Sequence, residues 1–170
     1  VTATLAADSL SNLGALSTAA TDVITVTVND NAAAAVTAAN LSALGGKTAG
    51  TVTVSNAVAI TGNHDEVTAA LVTAGTKVEV SDATVTINDN GGTAVTATEL
   101  SAIGGATTGT VTVSNAVAIS GTTAEAVAAL VTAGTKVEVT DATVTLSDNP
   151  SISDLNNIAA ATTGVVTATL

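Results

Sequence analysis

The one imidazole of the chain stands in Gly62-Asn63-His64-Asp65-Glu66, directly before two carboxylates. An imidazole beside carboxylates is raw material for acid–base catalysis, nucleophile activation or metal ligation. The sequence itself argues against that use, because Thr122 or Thr123 takes its place where the segment recurs. The expectation is an exposed residue just ahead of a helix. Without it no Ser-His-Asp set can be assembled. Glu79 and Glu138 also recur, each two residues after Lys77 or Lys136 and so on the same strand face. That spacing reads as a solvated ion pair, not as an acid and a base. The chain is therefore expected not to be an enzyme, with no catalytic residue and no organic cofactor.

Three oxygen-rich loops are the next candidates: Asn29-Asp30-Asn31, Asn88-Asp89-Asn90 and Asp148-Asn149. Hard oxygen ligands at strand ends suit calcium, which takes six to eight of them. Asp30, Asp89 and Asp148 are the candidate ligands, one carboxylate per loop, so that a site needs help from a neighbouring segment. The competing reading is an Asx turn or a helix-start signal. Asn56, Asp82, Asn115 and Asp141 mark four corners between strand-like runs, where stacked side chains could bond turn amides. Thr-x-Thr pairs (Thr25/Thr27, Thr51/Thr53, Thr84/Thr86, Thr110/Thr112, Thr143/Thr145) resemble ice-binding arrays. They alternate with Lys77/Glu79 and Ala57/Ala59, which interrupts any Thr face.

Composition narrows the partners. Three basic residues against fourteen acidic ones give a net charge of −11. Nucleic acid needs clustered Lys and Arg, so it is excluded as a partner. An anionic membrane surface is disfavoured likewise. No run approaches the roughly 18 apolar residues of a spanning helix. There is no Cys, Met, Phe, Trp or Tyr. A Met-free chain reads as a piece of something larger, and the acidic, Arg-free and Cys-free composition points to an extracellular or cell-surface location. The apolar share of 46% rests on Ala, Val, Leu and Ile, which suits thin layers of small side chains.

What must position these residues is a repeat. Residues 32–90 align without gaps on residues 91–149, with about 42 of 59 positions identical. The corners fall at alternating spacings of about 26 and 33 residues, the length of one supersecondary unit. Val52/Val54 and Val85/Ile87 alternate with Thr, as half-buried strands do. Val67, Ala70, Leu71 and Ala74 share one helical face, opened by an Asn63/Glu66 capping box and closed by Gly75. Thr122/Glu125 and Gly134 repeat those signals. Shorter helices are expected at Leu41/Leu44 and Leu100/Ile103.

These patterns predict an α/β fold: a right-handed solenoid of strand-corner-strand-helix coils with parallel sheets and a curved or twisted stack. Tandem β-sandwich domains are the alternative. The expected organisation is a partial repeat over 1–31, units at 32–90 and 91–149, and a partial repeat over 150–170, all one continuous solenoid. Helices need roughly 8–10 Å between axes, about twice the strand spacing, so such a stack must curve.

Leu41 to Gly62, Leu71 to Asn90 and Leu155 to Leu170 resemble the tandem repeats of giant extracellular proteins of cyanobacteria and other aquatic bacteria. The resemblance covers essentially the whole chain and implies a structural or adhesive role at the cell surface, as a stalk or fibre. The Gly-Gly-x-Gly-x-Asp calcium motif that often accompanies such arrays is absent. Val-Thr-Ala-Thr-Leu at both ends, apolar and uncharged, suggests end-to-end self-association or continuation into further repeats. The alternative function is a ligand module, calcium-dependent or ice-binding.

Overall fold

A computed structural model describes residues 1–169; Leu170, the last letter of the closing Val-Thr-Ala-Thr-Leu, lies outside the described residues. The chain opens with β1 (Thr2–Thr4), α1 (Leu10–Leu13), β2 (Val23–Val28), β3 (Ala35–Thr37) and α2 (Ala38–Gly45). It continues through β4 (Val52–Val54), β5 (Ala59–Gly62), α3 (His64–Leu71) and β6 (Thr84–Ile87). Next come β7 (Ala94–Thr96), α4 (Ala97–Gly104), β8 (Val111–Val113), β9 (Ala118–Gly121) and α5 (Thr123–Leu130). It closes with β10 (Thr143–Leu146), α6 (Ile152–Ala160) and β11 (Val166–Thr167).

Val-Thr alternation makes the strands. Val26, Val28, Val52, Val54, Val85, Ile87, Val144 and Leu146 are at most 3% exposed, while the Thr residues between them stay at or near the surface. Burying each Val or Leu stabilises by roughly 1.5–3 kcal/mol, and many such small contributions replace aromatic anchors. Like residues meet across the ladder: Thr27 pairs with Thr53 and Val28 with Val54. The pairings β1–β2, β2–β4, β3–β5, β7–β9, β9–β10 and β10–β11 are all parallel, and parallel neighbours need a crossover between them, here supplied by helices and loops.

Each helix starts on a hydroxyl or amide side chain that accepts from the N3 amide: Ser9, Thr37, Asn63, Thr96, Thr122 and Ser151. Three are complete capping boxes, Asn63 with Glu66, Thr96 with Glu99 and Thr122 with Glu125. An N-cap of this kind contributes typically about 1 kcal/mol, which matters for helices of two turns.

The links between helix and strand are clipped by Thr-x-Gly. Thr48 Oγ1 donates to Ile24 O at 2.8 Å and accepts from Gly50 N at 2.8 Å. Thr107 does the same with Ala83 O and Gly109 N, and Thr162 with Ala142 O and Gly164 N. A Cβ on Gly50, Gly109 or Gly164 would stand 2.2–2.3 Å from the carbonyl oxygen it passes, so only Gly lets the two backbones meet.

The chain gathers into two compact units, one of residues 1–85 with 106–109 and one of residues 86–105 with 110–170. In the first, β1, β2 and β4 form a three-stranded sheet, α1 packs on α2 and α2 on α3. In the second, β11, β10, β9 and β7 form a four-stranded sheet, α4 packs on α5 and α5 on α6. In the first unit β3 also pairs with β5.

The expected solenoid is corrected by this arrangement. Within each unit the strands form short, separate parallel sheets, of three members in the first and four in the second. The two strands that flank a corner, β4 and β5, belong to different sheets. The strand expected at Val78–Val80 reduces to a bridge of Glu79 with Thr53. The physical reason is the spacing mismatch: two-turn helices packed at roughly 8–10 Å cannot keep step with strands at about half that distance. Short sheets that end and restart relieve it. Tandem β-sandwiches are corrected as well, since the ladders are parallel and helices pack against one another.

Candidate functional site

His64 opens α3, and its placement departs from expectation. Asn63 caps the helix through Glu66 N at 2.9 Å, and Glu66 Oε2 returns to Asn63 N at 3.1 Å. Pinning the first turn this way fixes the side chains at its first two positions. The His64 side chain is only 12% exposed, and its Nε2 lies 3.5 Å from Asp65 Oδ1, whose own side chain is 84% exposed. An imidazole that is mostly covered, with a carboxylate open to water beside it, is not the solvated pre-helix residue the sequence suggests.

Glu99 is held in the same way in the second unit. It is the N3 residue of α4, and its Oε2 accepts from Thr96 N at 2.9 Å and Thr96 Oγ1 at 2.7 Å. The capping box thus holds the carboxylate in one orientation. At the start of α3, a ring nitrogen and a carboxylate oxygen 3.5 Å apart can share one divalent cation, or pass a proton between themselves.

The oxygen-rich loops are placed at other helix starts. Asp30 Oδ2 accepts from Leu10 N at 2.6 Å, at the first residue of α1. Asp148 Oδ1 accepts from Thr123 N at 2.7 Å and Thr123 Oγ1 at 2.6 Å, at the first residue of α5. Those bonds, the hydroxyl's first, hold the Asp148 carboxyl below the usual range for an aspartate. Asp89 is 7% exposed. Asp30 and Asp148 spend themselves on backbone or side chain already present, in the manner of a helix cap.

The corner residues split by type. Asn56 Nδ2 donates to Asp30 O at 2.8 Å, and Asn115 Nδ2 to Asp89 O at 2.6 Å. Both amides therefore tie a corner to the backbone of an oxygen-rich loop. Asp82 accepts only from its neighbour Ser81 Oγ, at 3.0 Å, and Asp141 is exposed. The Thr rows end where the sequence interrupts them, with Thr53 paired to Glu79 and Thr112 to Glu138.

Sequence reasoning missed Thr68, although a signal for it was present. Between the two copies residues 69–80 are identical to 128–139, whereas Asn63, His64, Asp65, Val67 and Thr68 all change. A cluster of changes at one helix start, beside an unchanged stretch, marks a place where the copies do different things.

Comparison with protein-family profiles, with curated proteins and with solved structures finds no match for this chain. The likeness to tandem repeats of giant surface proteins is corrected by the fold, which is two compact α/β units with separate sheets. The structural, adhesive and fibre-forming role goes with it, as does the calcium-dependent or ice-binding alternative; what the first unit carries instead is the covered His64 beside the open carboxylate of Asp65. That pair likewise corrects the expectation that the chain lacks residues for catalysis. End-to-end association loses its basis, because the outer strands β1 and β11 have only three and two residues and offer little edge to extend. No helix among the described residues is long and apolar enough to cross a membrane.

Proposed function

We propose that the chain binds a divalent transition-metal ion at the start of α3 through His64 and Asp65, and that the bound ion serves metal-assisted hydrolysis. The observation that carries this is the mostly covered imidazole of His64, with its Nε2 3.5 Å from the water-facing carboxylate of Asp65. A mixed nitrogen and carboxylate set selects Zn²⁺ or a similar ion over Ca²⁺, whose ligands are all oxygen. Two protein ligands leave coordination positions for water and for a substrate oxygen. The exposed side chain of Asp65 keeps that side open to solvent. An ion held there would supply a Lewis acid and a water acidified toward neutrality. The chain's own contribution is orientation: the capping box at Asn63/Glu66 fixes the helix start that carries both donors. An extracellular setting fits the Arg-free, Cys-free, acidic composition.

Calorimetric titration with Zn²⁺ tests the reading. The wild-type chain is expected to take up one ion. His64→Thr, the residue the second copy carries, is expected to weaken binding by at least about 100-fold with unchanged circular dichroism. Absence of saturable uptake by the wild type, or uptake that ignores the substitution, rejects the site.

A further inference from the structure

The three oxygen-rich loops end differently. Asn31 is followed by Ala32, Asn90 by Gly91 and Asn149 by Pro150, and Asn90-Gly91 is the one Asn-Gly step in the chain. An Asn side chain is open to attack at its Cγ by the backbone nitrogen of the next residue, which closes a five-membered ring. A Cβ on that residue crowds the approach, glycine leaves it open, and proline has no N–H to react.

The surroundings of Asn90, all within the second unit, favour that reaction. Asn90 and Gly91 are both exposed. Thr93 N donates to Asn90 O at 3.1 Å and Gly92 N to Ala116 O at 2.7 Å, so the turn is held by the two amides that follow Gly91. Among the described residues no hydrogen bond occupies the Gly91 N–H or the Asn90 side chain. The fold does not need glycine at 91. The first copy closes the same turn with Ala32 there, Ala34 N donating to Asn31 O at 2.9 Å. A Cβ on Gly91 would meet nothing nearer than Ala116 O at 3.8 Å, and the positive φ of this turn lies at Gly92. What glycine adds at 91 is reactivity.

We propose that Asn90 is a site of spontaneous modification by deamidation. Gly91 N bonds to Asn90 Cγ, the Cγ–Nδ2 bond breaks, and ammonia leaves carrying the proton of the Gly91 amide. One water then opens the succinimide at either carbonyl, leaving an aspartyl or an isoaspartyl residue at position 90. Nothing is oxidised or reduced, and water is the only co-reactant. Each chain that reacts gains a negative charge beside Asp89, whose carbonyl anchors Asn115 Nδ2 at 2.6 Å. The isoaspartyl product also lengthens the backbone inside the turn that ties Gly92 to Ala116. The change is one-way and confined to this loop.

The test incubates the whole folded chain in warm, mildly alkaline buffer and follows Asn31, Asn90 and Asn149 by peptide mapping with mass spectrometry and isoaspartyl detection. Asn90 is expected to convert at least about tenfold faster than either of the others, to give isoaspartate among its products, and to speed up as pH rises. Gly91→Ala, with unchanged circular dichroism, should slow the conversion at least about tenfold. The comparison of the three loops within the wild type needs no variant to fold. Conversion of Asn90 no faster than that of Asn31, or a rate that ignores Gly91→Ala, overturns the proposal. Aspartate without isoaspartate would mean direct hydrolysis of the amide and overturns it as well.

Discussion

α3 and α5 are two settings of one piece of scaffold. Each has eight residues, opens on a capping box that ends in Glu, and is followed by the identical Val-Thr-Ala-Gly-Thr-Lys-Val-Glu-Val. They differ in what the first turn presents. α3 offers His64 and Asp65, with Thr68 one turn on; α5 offers Thr123 and Ala124, with Val127. At α5 every polar group is settled locally, Thr123 on Asp148 and Glu125 on Thr122 and Thr98. At α3 there is an open carboxylate and an unmet hydroxyl. One copy is finished as structure and the other carries polar groups that structure alone does not require, which is how a scaffold acquires a site without changing its fold.

The largest effect should come from moving the difference across. The cleft beside α5 is about 390 Å³ and is lined by Thr123, Ala124, Val127, Asp148, Ser151 and Asp154. In a His64→Thr background, Thr123→His with Ala124→Asp should raise Zn²⁺ affinity at least about tenfold over the parent, read by calorimetry. It should stay weaker than the natural site, because Asp148 loses the hydroxyl of Thr123 as a partner. If the double change brings no gain, the donor set is not what separates the two copies, and the comparison breaks at its main point.

What the sequence made legible follows the range of each interaction. The boxes at Asn63/Glu66 and Thr122/Glu125 were readable because a cap and its amide lie three residues apart. The sheets were not, because β4 and β8 have three residues each and find partners more than twenty positions away. β3 and β7, each Ala-Val-Thr, are too short to show any period. α3 also stops at Leu71, well short of Gly75, whose surroundings are open. His64 was visible as a residue and its burial was not, since nothing local in the sequence reports what covers a side chain at a helix start.

A second matched pair sharpens the comparison at the level of backbone. Ala33 and Gly92 occupy equivalent positions, each donating its amide to the corner carbonyl of Ala57 or Ala116 at 2.7 Å. Both have positive φ, 61° at Ala33 and 81° at Gly92. A left-handed non-glycine residue costs roughly 1–2 kcal/mol, so the second copy has the relaxed residue and the first the strained one. Ala33→Gly should therefore raise stability, by about 1 kcal/mol less a few tenths for the freer unfolded chain. Urea unfolding measures it: a higher midpoint at unchanged slope is expected, and a lower midpoint would mean that the strain is not there.

The smallest effect is set by pH and tests whether α5 is held by the bonds described. Asp148 is pulled below the usual carboxylate range first by the Thr123 hydroxyl and then by its amide. Glu125 is pulled down first by the Thr122 amide, then by the hydroxyls of Thr98 and Thr122. A carboxyl whose folded pKa is depressed stabilises the fold fully above its unfolded value, about 3.9 for Asp and 4.3 for Glu. That contribution is lost as pH falls through the folded value. Asp148→Asn keeps an acceptor oxygen but removes the charge, so its melting temperature should lie below wild type at pH 7. The gap should narrow from about pH 4 downward and vanish once the wild-type carboxyl is protonated. Because these groups face water, the difference is a few degrees at most and should shrink in high salt. A gap that persisted undiminished at pH 2 would mean that Asp148 acts through shape alone, and α5 would then owe nothing to the charge at its start.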